Sequence, residues 1–382
     1  MAIAEVLDEG ELGTILQRFT WASLGDIPDI EFEDSEGSIR GVIECLLEHR
    51  PVSQGPFLSL GWTNELLHWV SAVVSADRRD VADGIEQLNA SAHHSLLRIR
   101  NRTNPPYWFK AAARAEDPEF QTTTLLSNLF PEYLPTIVAV RRAWSGWLME
   151  DAGPSIEEPA FTSGESIDRI GVRLAKLQQA SIPRVAQLLK CGLIDQRIAR
   201  LRESVFDMMP YLEDAVLSQR STSIPPIKIW RLGEIADAFE RARCLFEDIS
   251  IPDALIHNDL SGGNILSSNG FCVFTDWSEA GVGNPFVAID QLRIYFEQDR
   301  RLARWIPRVV SSYFKQWSSE VSEEQINSTL GSVRLLSIAT HLLNRQQWII
   351  SEYLGNPAPQ SYLRSLVRQM VNATRLDKIP VA

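Results

Sequence analysis

In the stretch TNELLHWVSAVVSA, residues 63 to 76, apolar side chains recur at Leu66, Leu67, Val70, Val73 and Val74. That is helical spacing, and Thr63 stands where a cap would, so the pattern predicts a short amphipathic helix. The run ahead of it, PVSQGPFLSLG from Pro51 to Gly61, is rich in turn residues and reads as a linker. Residues 85 to 113 change period. The short apolar runs GIEQL, SLLRIR and YWFKAA are separated by the polar turns NASAHH and NRTNPP, which predicts a meander of three strands. Asp117 and Pro118 then supply an N-cap and a first-turn proline for a helix through about Asn128. TIVAV and GWLMEDAG read as two more strands, so this segment is a small antiparallel sheet with one inserted helix.

From about residue 154 the helical period takes over. Thr162 and Glu165 form a capping box ahead of SIDRIGVRLAKLQQA, and further helices are expected over 194 to 219, 229 to 248, 286 to 298 and much of 301 to 376. The exception is a hairpin: LIH, NILSS and FCVFTDW are strand-like, with Asn269 and Gly270 as the turn. A sheet lobe over 62 to 150 is thus followed by a mainly helical lobe over 151 to 382, an α+β fold in which a ligand binds between the lobes. Residues 1 to 61 stand apart as an extension and linker.

Composition narrows the class. The chain has 382 residues, 45% hydrophobic and 23% charged, which suits a folded protein with a sizeable core. Its net charge of -12 is concentrated in residues 1 to 50, where 12 acidic residues face three arginines. The rest is nearly neutral, so no basic face points to nucleic acid. Cys45, Cys191, Cys244 and Cys272 form no C-x-x-C pair, which argues against a disulfide framework or a zinc site and fits a reducing, cytoplasmic setting. No secretory signal is expected from the acidic start MAIAEVLDEGELG, and no segment of the first hundred residues is long and apolar enough to span a bilayer.

The chemistry gathers around the hairpin. In LIHNDLSGGNIL, His257 and Asp259 precede the first strand and Asn264 begins it; Asp276 ends the second strand in FCVFTDW. A two-strand hairpin brings its ends together, so Asn264 and Asp276 are expected side by side as hard oxygen ligands suited to magnesium. Asp259 is placed to accept a proton from, or to orient, an attacking hydroxyl. The order H-x-D-L-x-x-x-N followed by a strand-terminal aspartate has the layout of a kinase catalytic loop and metal site.

LIHNDLSGGNIL with VFTDWSEAGVGNPFVAIDQL resembles the aminoglycoside phosphotransferase and choline-kinase-like family, which carries H-G-D-x-x-x-x-N, then I-D-W/F-E and a downstream G-x-P-x-x-D-L. YWFKAA resembles the third strand of that family and GWLMEDAG its hinge; the resemblance covers roughly residues 62 to 300. It implies a two-lobed protein-kinase-like fold and magnesium-dependent transfer of the γ-phosphate of ATP, or GTP, to a hydroxyl of a small molecule. Carried over by position, Asp259 is the catalytic carboxylate, and Asn264 and Asp276 are the magnesium ligands. Lys110, paired with Glu119, contacts the nucleotide phosphates. Met149 and the backbone from Glu150 to Ala152 meet the adenine. His257 orients the loop, and Asp290 ties the segment after Asp276 to it.

Two positions depart from the family. Asn258 replaces the usual glycine, a change asparagine tolerates at left-handed backbone angles. The turn NASAHH has no glycine, which leaves Ser91, His93 and Ser95 to contact phosphate. That turn and the acidic extension motivate a second reading, a catalytically inactive kinase-like module acting through a partner. A protein-directed kinase is the weakest reading, since D-W stands where D-F-G would and no A-P-E is visible. Neither the acceptor nor the oligomeric state follows from the sequence.

Overall fold

The predicted first helix forms over Trp62–Val73 (α1), and its buried face is Leu66, Leu67 and Val70. A computed structural model describes residues 57, 61–74, 84–90, 94–100, 105–112, 118–158, 163–268, 271–352 and 357–374. The expectations for the acidic extension, Ser91, His93, Asp117, Thr162 and the Asn269-Gly270 turn lie outside those residues.

After α1 come β1 (Ile85–Ala90), β2 (Ser95–Ile99), β3 (Tyr107–Ala111), helix α2 (Pro118–Leu129), β4 (Ile137–Arg141) and β5 (Gly146–Glu150). The strands form one antiparallel sheet in the order β1-β2-β3-β5-β4. Strand alternation divides its side chains between two faces. Leu97, Ile99, Phe109, Ala111 and Leu148 pack against Leu66, Leu67 and Val70 of α1 in a core of their own. On the other face Phe120 of α2 packs with Trp147 and Met149, bordered by Trp108, Ile137 and Val140. Lys110 shares that second face, which turns it toward the cleft.

The helical lobe begins with α3 (Gly164–Ser181), α4 (Val185–Lys190), β6 (Ile194–Gln196), α5 (Ile198–Leu217) and α6 (Arg231–Ile249). Three short strands follow, β7 (Ala254–Ile256) and the hairpin of β8 (Ile265–Ser268) with β9 (Phe271–Phe274). The chain closes with β10 (Gly281–Gly283), α7 (Phe286–Gln298), α8 (Arg300–Ala303), α9 (Ile306–Trp317), α10 (Glu323–Glu352) and α11 (Pro357–Ala373). The hairpin is stitched to the chain leaving the sheet: Ile156 N–H donates to the Ile265 carbonyl at 3.1 Å, and Ser267 N–H to the Pro154 carbonyl at 2.9 Å.

Two expectations need correction. The helix predicted from 194 starts at Ile198, because Ile194–Gln196 is a strand that pairs in parallel with β10, itself antiparallel to β7. Gly281 and Gly283 permit this close pairing; a Cβ at these positions would lie 2.3 Å from Gln196 Oε1 and 2.4 Å from the Gln196 carbonyl oxygen. At α3 the cap is Ser163, whose Oγ accepts from Ser166 N–H at 3.2 Å. Helices do cover much of 301 to 376 as expected, and α10 opens on a capping box: Ser322 N–H donates to Gln325 Oε1 at 2.9 Å and Gln325 N–H to Ser322 Oγ at 3.2 Å.

Candidate active site

The site is built on the loop between β7 and β8. His257 is buried, and its ring is fixed from both nitrogens: Nδ1 accepts from Asp259 N–H at 3.3 Å, so Nε2 carries the hydrogen that it donates to the Thr275 carbonyl at 2.8 Å. Burial holds this imidazole below its ordinary pKa, against the hydrogen bond to Thr275 and the nearby carboxylates of Asp259 and Asp276. A neutral histidine thus joins the loop before β8 to the segment after β9. Its ring packs on Trp277, with centroids 4.3 Å apart.

Asn264 closes the loop from the other end. It ends a short 3-10 turn, Gly262–Asn264, one residue before β8 and not within it. Its Nδ2 donates to both the carbonyl and the Oδ2 of Asp259, each at 2.9 Å. Since the amide hydrogens go to Asp259, the Asn264 Oδ1 is left as an oxygen donor. Thr275 N–H donates to the Asn264 carbonyl at 3.0 Å, which places Asp276 beside this turn. Asp276 lies two residues past β9 with φ 64, a left-handed geometry uncommon outside glycine and tolerated by aspartate.

From the sheet lobe Lys110 reaches two carboxylates, Glu119 Oε1 at 2.5 Å and Asp276 Oδ1 at 3.0 Å. Burial alone would lower the lysine pKa, but Glu119 and Asp276 outweigh it and the net shift is upward. Asp276 shows the reverse balance: burial pushes it up, while Lys110 and the hydroxyl of Ser278, 2.9 Å away, bring it below the usual carboxylate range. The pairing of Lys110 with a glutamate of the inserted helix is therefore present as expected. Lys110, Met149, Glu150, Ala152, Asn264 and Asp276 all line one cleft of about 170 Å³ between the lobes.

Ser95 is not brought to this cleft. It is 1% exposed, and alternation along β2 turns it with Leu97 and Ile99 toward the core under α1, whereas Leu96 faces the cleft. Asp290 also differs from expectation. The side-chain partners the structure gives it are Arg293 at 2.8 Å and Arg334 at 3.3 Å, so it joins α7 to α10. The tie to the loop between β7 and β8 is made by Asn258 instead. With φ 66, Asn258 donates from Nδ2 to Gln196 Oε1 and to the Glu279 carbonyl, both at 2.8 Å, and accepts from Gln291 at 3.4 Å. Gln196 is fully buried and donates in turn to Asn344 at 2.5 Å.

Two further contacts escaped the sequence pattern. Tyr295 donates to Glu157 at 2.9 Å over the loop glycine Gly262, where a Cβ would lie 2.2 Å from the tyrosine oxygen. Burial and the neighbouring Glu157 push that phenol up to about 12. Trp108 lines the cleft and donates from Nε1 to Asp151 Oδ1 at 2.8 Å. Its place was readable, since residues two apart on a strand share a face and Lys110 was already aimed at the cleft.

Among the described residues no group of three or more His, Cys, Asp or Glu side chains is arranged to hold a metal. Asn264 and Asp276 nevertheless offer the hard oxygen pair that suits magnesium, which takes few protein ligands and completes its shell with water and phosphate. None of the described helices is long and apolar enough to cross a membrane.

Together these lobes, their cleft and the hairpin define a two-lobed protein-kinase-like fold, in the form seen in kinases of small molecules. Ethanolamine kinase from Plasmodium vivax aligns with 92% of this chain and 97% of its own at 15% identity, with a TM-score of 0.51. Choline kinase from Cryptosporidium parvum covers 82% of this chain and 95% of its own at 13% identity and TM-score 0.52. A thermostable mutant of aminoglycoside phosphotransferase APH(4)-Ia, in ternary complex with AMP-PNP and hygromycin B, covers 81% and 98% at 15% identity and TM-score 0.52. No protein-family model and no curated protein sequence matches the chain. Identities this low establish the fold and leave the reaction to be argued from the site.

Proposed function

We propose that the protein is a small-molecule kinase that moves the γ-phosphate of ATP to a hydroxyl group. The observation that supports this most is Lys110, paired with Glu119 on one side and Asp276 on the other, in the same cleft as the Asn264 that braces Asp259. Phosphoryl transfer depends on positioning and charge neutralisation, and this set supplies cationic and anionic groups in the required order. Asp259 accepts the proton of the acceptor hydroxyl as its oxygen bonds to the γ-phosphorus, and the bond from that phosphorus to the bridging oxygen breaks to release ADP. Asn264 holds the Asp259 carboxylate in place, and His257 holds the main chain of the loop. Lys110 contacts the phosphates. Magnesium, held by Asn264 and Asp276, would neutralise charge on the transferring phosphate.

In this reading residues 62 to 150 hold the nucleotide, with Met149 and the backbone from Glu150 to Ala152 facing the base. Residues 151 to 382 supply the catalytic hairpin and the acceptor site. Free thiols at Cys191, Cys244 and Cys272 are in keeping with a reducing cytoplasm. The acceptor class stays at small alcohols. The ethanolamine, choline and aminoglycoside named for the neighbours are candidates to be tested, alongside sugars.

The test is transfer of labelled γ-phosphate from Mg-ATP into a pooled panel of amino alcohols, aminoglycosides, sugars and cell metabolites, run beside Asp259→Ala. Label entering a small molecule only with the unsubstituted protein is the expected result. A fully active Asp259→Ala protein overturns the reading.

A further inference from the structure

The last residue of α5, Leu217, is 68% exposed, and the loop that leads from it to α6 carries three more exposed apolar side chains. Ile224 and Ile229 are 54% and 42% exposed and Trp230 is 55% exposed, whereas Ile227 between them packs against the helical core. Single exposed apolar residues are ordinary, but four within one short stretch form a patch that calls for a partner. The loop is held in place from α11. Arg364 donates to the Ala215 carbonyl at 2.9 Å and to Ser218 Oγ at 3.2 Å, and Arg368 donates to Gln219 Oε1 at 2.7 Å and to the Pro225 carbonyl at 3.4 Å. Gln219 Nε2 donates in turn to the carbonyls of Ser221 and Ile224 at 2.9 and 2.8 Å.

Charge around this patch runs against that of the whole protein. Between Asp214 and Glu234 the chain has Arg220, Lys228 and Arg231 and no acidic residue, although its net charge is -12. Arg364 and Arg368 add two more cations beneath the loop, and the Arg231 guanidinium lies 4.1 Å from the Trp230 ring centroid. We infer that residues 217 to 231 are a docking surface for an anionic lipid bilayer. Ile224, Ile229 and Trp230 enter the headgroup region, where tryptophan is favoured, and Arg220 and Lys228 face the anionic headgroups. A folded protein fits this surface less well, because the four side chains offer only a few hundred Å² against the roughly 800 Å² a side of a stable protein interface. No residue of the loop lines the cleft between the lobes, so the inference stands apart from the kinase reading.

The experiment is co-sedimentation of the full chain with vesicles of phosphatidylcholine alone and of phosphatidylcholine mixed with phosphatidylserine. The unsubstituted protein is compared with a triple variant, Ile224→Ser with Ile229→Ser and Trp230→Ser, and with a double variant, Arg220→Gln with Lys228→Gln. Binding to the mixed vesicles is expected to be about tenfold or more tighter than to the neutral ones and to weaken as salt rises. Each variant is expected to lose about tenfold or more of that binding at an unchanged melting temperature, because all five side chains are exposed. No binding to the mixed vesicles overturns the inference, as does equal binding to the two kinds of vesicle or variants that bind like the unsubstituted protein. Soluble polyglutamate is the control: displacement of the protein from the vesicles at matched charge assigns the surface to an acidic polypeptide and overturns the bilayer.

Discussion

Asn264 donates two hydrogen bonds of 2.9 Å from one nitrogen to Asp259, one to its main-chain carbonyl and one to its carboxylate. Replacing that nitrogen with oxygen in Asn264→Asp keeps the shape and sets a like charge against Asp259. Turnover is expected to drop about a hundredfold or more while the melting temperature changes little, because Asn264 is only partly buried and its bonds to Asp259 are open to solvent. Steady-state kinetics on the acceptor that the labelling panel identifies, with thermal denaturation alongside, checks both halves.

The Lys110 and Glu119 pair is only 19% and 6% exposed at its side chains. Lys110→Met leaves a buried glutamate facing no lysine and is expected to cost about 3 kcal/mol of stability. Lys110→Met combined with Glu119→Gln removes both charges of the pair and costs less than the two single changes added together. Urea denaturation of the three variants decides it, and strict additivity contradicts the pairing.

Gly171 sits where α3 crosses α9. A Cβ there would lie 2.2 Å from Ser312 Oγ and 2.5 Å from the Val309 carbonyl oxygen. Helix propensity favours alanine over glycine by about 1 kcal/mol, yet crowding against backbone outweighs it. Gly171→Ala is expected to lower stability by about 2 kcal/mol. A more stable variant in denaturant melts shows a looser crossing than the structure has.

Burial keeps His257 below its ordinary pKa of 6.5. The unfolded chain takes up a proton at that value and the folded protein resists it. The stability contributed by the neutral ring is therefore complete above 6.5 and is lost as pH falls toward the depressed folded value. Unfolding midpoints of the unsubstituted protein should fall between about pH 7 and about pH 5, and those of His257→Gln should fall less steeply. Parallel curves for the two proteins refute a titrating role for this ring.

Where the candidate site was legible in the sequence, its residues were local. The order His257, Asp259, Asn264, Asp276 spans one loop and one hairpin, while Lys110 was assigned through the resemblance of YWFKAA to a third strand. The Lys110 and Glu119 contact came from the resemblance, with Glu119 preferred to its neighbours Glu116 and Asp117 because Asp117 was read as the helix cap. Ser95 was misread because a polar residue next to a turn suggests phosphate, whereas the register of β2 sends it inward beside Leu97. The strand Ile194–Gln196 could not be seen, since three residues carry no period and only β10 gives them a partner. Asp290 was assigned by motif; its real partners, Arg293 and Arg334, depend on how α7 meets α10.

The amide of Asn258 gathers residues that are far apart along the chain: Gln196, Glu279 and Gln291 directly, and Asn344 through Gln196. Contacts of such long separation form only after the intervening chain has been ordered. The loop between β7 and β8 is accordingly expected to take its final shape late, after the helices that surround it have assembled. During synthesis a partly made chain would carry the sheet lobe, and even the residues of the loop, before it could carry a working site.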